Sequence, residues 1–94
     1  DTVSAVRYVN DINLVTVSPN PNNGRFNVSL NSSASRKIDL AVTNVLGEKI
    51  WEEKGIQVNG NYMKNINLEN TASGIYHLVV SSDKKQNTYK LVVE

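Results

Sequence analysis

Arg25-Phe26-Asn27-Val28-Ser29-Leu30 alternates polar with apolar residues at every step, a two-residue period that gives a strand one dry face and one wet face. Moving outward, the same rhythm returns where Ile38, Leu40 and Val42 are set against Asp39, Ala41 and Thr43, and where Ile66 and Leu68 are set against Asn65 and Asn67. Helical stripes are absent. Residues 75–80 and 91–93 are apolar at nearly every position, which predicts strands covered on both sides or lying at the centre of a sheet.

Turn chemistry divides these segments. Pro19 and Pro21 have no N–H to give a ladder, so a first strand over 14–18 is expected to end at a proline loop. Asn23-Gly24 is placed to close a turn there, and Asn59-Gly60 is placed to close a type I′ hairpin between 56–58 and 62–64. Polar, small-residue stretches at 31–35 and 81–86 read as loops. Strands are therefore expected at 14–18, 25–30, 37–45, 49–53, 62–68, 75–81 and 88–93. Short strands at this spacing argue an antiparallel, immunoglobulin-like β-sandwich of about seven strands. Residues 1–13 lack a strong rhythm and read as a linker from an upstream domain, with room for a strand at 6–9; residues 14–94 form the domain.

Ninety-four residues suffice for one modest core. The formal net charge is +1, and the basic residues are scattered, so nothing marks nucleic acid or an anionic bilayer as a partner. With no cysteine there is no disulfide, thiolate metal site or thiol nucleophile. No apolar run approaches the ~20 residues that span a bilayer as a helix. A chain that starts at Asp1 without a basic, apolar leader reads as a piece of a longer polypeptide.

Chemistry-bearing constellations are missing. His77, the single histidine, sits within an apolar strand and has no serine or acid at triad spacing. Glu52 and Glu53 are adjacent, so on a strand they face opposite ways, which is unsuited to a catalytic carboxylate pair. No calcium loop or zinc ligand set is present, so no cofactor, no metal and no enzymatic activity are expected. Asn27-Val28-Ser29 and Asn31-Ser32-Ser33 fit the glycosylation pattern, as an asparagine-rich chain does by chance. Trp51, Tyr62, Tyr76 and Tyr89 fall on different strands, where core or edge packing outweighs a sugar-binding platform. Ile50 and Trp51 cannot both point inward.

Four short segments occur in a telling order: Ser18-Pro19-Asn20-Pro21-Asn22-Asn23-Gly24, Val45-Leu46-Gly47, Ala72-Ser73-Gly74-Ile75-Tyr76 and Thr88-Tyr89-Lys90-Leu91-Val92-Val93. Taken together over about residues 17–94 they resemble the type A C-terminal sorting domain of type IX secretion cargo in Gram-negative bacteria. The family pattern usually closes on a basic residue, whereas this chain closes on Glu94. The resemblance implies a non-catalytic secretion signal that follows a cargo protein, folds in the periplasm and is recognised by the outer-membrane secretion machinery. It further implies removal by a sortase-like protease as cargo reaches the cell surface or the medium. The alternatives are an immunoglobulin-like spacer or adhesion module and a carbohydrate-binding module of a surface protein.

For a folded signal, the expected reading surface is the last strand and the proline loop: Pro19, Asn20, Pro21, Gly24, Gly74, Tyr76, Thr88, Lys90, Leu91, Val92 and Val93. An outermost strand leaves backbone groups that a receptor could extend by strand addition. Alternation sets Lys90 opposite Tyr89 and Leu91, toward water if they face inward.

Overall fold

The computed structural model describes residues 12–68, 71–82 and 85–94; the strand considered at 6–9 and most of the expected linker lie outside them. Five strands follow in chain order: β1 (Ile12–Ser18), β2 (Arg25–Thr43), β3 (Lys49–Asn67), β4 (Gly74–Ser82) and β5 (Lys85–Val93). They form one antiparallel sheet curled into a half-barrel. β2 is its spine. One flank of β2 pairs with β3 along its length, while the other pairs first with β1, from Asn27 to Ser32, and then with β4, from Ile38 to Thr43. β5 follows β4, so the strand order is β1-β2-β4-β5 with β3 on the far side of β2.

The all-β, antiparallel reading holds, but the seven expected strands are five, and they belong to one sheet rather than two stacked ones. Two pairs of expected strands are each one continuous 19-residue strand, β2 and β3. The expected loop at 31–35 and the expected hairpin at Asn59-Gly60 lie inside them. Gly60 does take a positive φ of 80°, yet it remains opposite Ser32, and Val58 remains opposite Arg36. An irregularity in the ladder between those pairs bends the ribbon without reversing it. A second register shift falls between Ile38 and Leu40, where the Asp39 carboxylate accepts the Gly55 N–H at 2.9 Å.

Those bends let one face of β2 enclose the core. Phe26, Val28, Leu30, Ile38, Leu40 and Val42 are all buried, and so are their partners in register Ile66, Ile56, Leu78 and Val80. Leu91 completes the cluster from β5. Each such side chain contributes about 1.5–3 kcal/mol of burial, set against the entropy of ordering it. Trp51 takes the inward position and packs on the core, leaving Ile50 exposed. At the open flank, Lys64 Nζ meets Glu53 Oε1 at 2.9 Å. This hydrogen bond and the carboxylate charge hold the Lys64 ammonium above its ordinary pKa, while burial first and Glu53 second raise that of Tyr62.

β4 is a central strand, as its apolar run predicts, but one of its faces is only half covered, at His77, Val79 and Ser81. β5 is last in the pairing order.

Candidate functional site

The loop between β1 and β2 is built by its asparagines and by one glycine. Both proline bonds, Ser18-Pro19 and Asn20-Pro21, are cis. Asn22 is 6% exposed, and its side chain closes the loop on itself: Nδ2 donates to the Pro19 carbonyl at 3.0 Å and Oδ1 accepts the Gly24 N–H at 2.8 Å. Gly24 has φ 102°, and its carbonyl accepts the Leu68 N–H at 2.7 Å. A β-carbon there would lie 2.9 Å from the Leu68 carbonyl oxygen, so only glycine suits both the conformation and the approach.

The same loop is stitched to the end of β5. Asn20 Nδ2 donates to the Lys90 carbonyl at 3.0 Å, and Asn20 Oδ1 accepts the Val92 N–H at 2.9 Å. Alongside, the Asn22 N–H donates to the Val92 carbonyl at 3.0 Å, and its carbonyl accepts the Glu94 N–H at 2.7 Å. One amide side chain and one backbone unit thus satisfy the outward-facing groups from Lys90 to Glu94. The expectation of an open ribbon for strand addition is corrected here, since Asn20 and Asn22 already occupy that flank. Beyond them, over 85–89, no strand pairs with the outer flank of β5 among the described residues.

Most of the residues expected to form a reading surface converge. Gly74 pairs with Val93, Tyr76 with Leu91, and the proline loop reaches Lys90 and Val92. Pro19, Asn20, Pro21, Gly74, Thr88 and Lys90 are exposed, and Tyr76 and Val92 are half-buried. Gly24 is buried, and Leu91 and Val93 belong to the core, so what these three supply is support and backbone. Lys90 points away from Leu91, as alternation predicts. Thr88 stands apart, opposite Val79. Asn22 lies within the proline loop but not among the residues singled out for its surface; its place between Pro21 and Asn23-Gly24 is the signal for an Asx turn that could have identified its role.

Trp51, Tyr62, Tyr76 and Tyr89 form no outer platform. All four pack partly against the core, and the Tyr76 hydroxyl donates to the Ala72 carbonyl at 2.7 Å. Burial raises the Tyr89 pKa. His77 lies half-buried on the outward face of β4, opposite Lys90 on one side and Thr43 on the other. Among the described residues, no group of three or more histidines or acids is placed to hold a metal ion, and no helix is long and apolar enough to cross a membrane.

Residues 16–94 match the family model described as the secretion system C-terminal sorting domain. No curated protein matches the chain.

Proposed function

This chain belongs to the secretion system C-terminal sorting domain family of type IX export, and on that premise we propose that residues 14–94 are read as a folded body by the outer-membrane machinery. A type IX sorting signal engages that secretion machinery and implies export to the cell surface or the extracellular space. Such signal domains are generally non-catalytic. The further steps are proposals: the domain folds in the periplasm, carries an upstream cargo, needs no cofactor or nucleic acid, inserts in no membrane, and is cut away by a sortase-like protease within residues 1–13. We propose no catalytic activity for it.

The observation that carries the recognition proposal is the clasp between Asn20, Asn22 and 90–94, which joins two segments seventy residues apart into one surface. Recognition then reads exposed side chains on a closed edge, with Pro19, Pro21 and Lys90 outermost. Backbone pairing by the receptor is confined to the region around Thr88.

A fusion of residues 1–94 behind a leader and a reporter, in a bacterium with type IX export, tests the function. The reporter is expected outside the cell having lost most of the 10.4 kDa of the 94-residue chain; a reporter retained in the periplasm would falsify the sorting-signal reading. Export with the domain still attached would sink only the removal step. Lys90→Ala is expected to change stability by no more than about 0.5 kcal/mol while reducing export, and unchanged export would take Lys90 out of the surface.

A further inference from the structure

Four of the five large apolar side chains exposed among the described residues, Val45, Leu46, Ile50 and Ile75, gather at one end of the sheet; Met63 is the exception. β2 leaves the ladder at Thr43, which faces Lys49 on one side and His77 on the other, so the 44–48 turn and Ile75 project beyond that rung together. Val45 is 70% exposed and Leu46 79%, and neither contributes to the core. Folding therefore does not account for them.

The tip that carries them is fixed in place. Asn44 Oδ1 accepts the N–H groups of Leu46 at 2.9 Å and Glu48 at 3.0 Å, while Asn44 Nδ2 donates to Glu48 Oε1 at 2.8 Å. The Asn44 N–H donates to the Glu48 carbonyl, and the Gly47 N–H to that of Asn44, both at 3.0 Å. A rigid tip has little ordering entropy left to lose when it docks. Ile75 is directly opposite Val92, whose N–H is held by Asn20, so this apolar end is continuous with the surface around Lys90.

We propose that the Val45-Leu46 tip, flanked by Ile50 and Ile75, is an apolar anchor that enters a nonpolar cleft of the outer-membrane export machinery. The proposal rests on the sorting-signal reading and adds a second contact beside Lys90. Its area favours that occupant over a second copy of the chain. Four side chains, 70%, 79%, 41% and 44% exposed, make a patch well short of the roughly 800 Å² that a stable pair needs from each partner, which suits a transient handover.

The test uses the reporter fusion with the whole 94-residue chain, as wild type, as V45S/L46S and as V45I/L46M. Wild type and V45I/L46M are expected outside the cell, with V45S/L46S export reduced at least about tenfold, the effect of losing a buried aliphatic anchor, at an unchanged melting temperature. Normal export of V45S/L46S overturns the anchor and leaves the sorting reading intact. A marked fall in its melting temperature overturns the anchor as well, by making the tip structural. A wild-type reporter that stays in the periplasm ends the sorting reading and the anchor with it. Sedimentation of the chain decides the remaining case: a dimer abolished by V45S/L46S would give the patch to a second copy and overturn the proposal.

Discussion

Adding one methyl group at position 24 would set a carbon 2.9 Å from the Leu68 carbonyl oxygen in a backbone conformation, φ 102°, that side chains rarely adopt. Gly24→Ala is therefore expected to cost about 1–3 kcal/mol. In a domain of this size that is roughly 4–8 °C of melting temperature per kcal/mol, read by thermal denaturation. Asn22→Ala leaves the Gly24 N–H without the amide that accepts it, and about 1–3 kcal/mol is expected for that loss in a buried setting. Asn23→Ala is the control. Its side chain makes only a 3.3 Å bond to the exposed Arg25 N–H, so a change within about 0.5 kcal/mol is expected. The glycine was legible as a turn residue because Asn23 precedes it directly and Pro21 stands three positions before it. The Asx turn at Asn22 was legible from its place ahead of Asn23-Gly24, but its burial was not, since that follows only when β5 arrives beside the loop.

Strands were legible wherever burial follows an alternating pattern, and their ends were not. Phe26 to Leu30 and Ile38 to Val42 announce one inward face each, but nothing local says that 31–35 continues the ladder between them. Ser32 is buried there with its hydroxyl donating to the Ala34 carbonyl, a long-range outcome of pairing with Gly60. Asn-Gly is a hairpin signal only if the flanking segments lack a longer partner, and here β2 supplies one over the whole length of β3. The bend at Asp39 gives a measurable handle: Asp39→Ala removes the acceptor of the Gly55 N–H and is expected to cost about 1 kcal/mol in urea unfolding. Deleting residues 88–94 removes Leu91 and Val93 from the core along with the half-buried Tyr89. At about 1.5–3 kcal/mol for each fully buried side chain, that approaches the ~5–15 kcal/mol holding such a domain together. Loss of the β-sheet circular dichroism signal is the expected result, so a failure of this deletion to export would not by itself identify a recognition residue.

For the molecule as a whole, three groups among the described residues set an alkaline limit. Tyr62 and Tyr89 both have folded pKa values above the ordinary 10.0, each chiefly through burial, and Lys64 lies above 10.5 through its bond to Glu53. The folded state thus holds these protons more tightly than the unfolded chain does. Their contribution is complete below about pH 10 and is lost as pH rises through the folded values. Melting temperatures are expected to stay level for these groups from about pH 8 to about pH 10 and to fall above that, with Tyr89→Phe flattening part of the decline. A constant melting temperature across that upper range would contradict the burial of both phenols.

Asn20 holds Lys90 and Val92 across seventy and seventy-two positions of sequence. Such a bond forms only after the chain has been made through Val92. A product that terminates before Lys90 leaves Asn20 with nothing to grip, so the proline loop is pinned only once the last strand has arrived beside it.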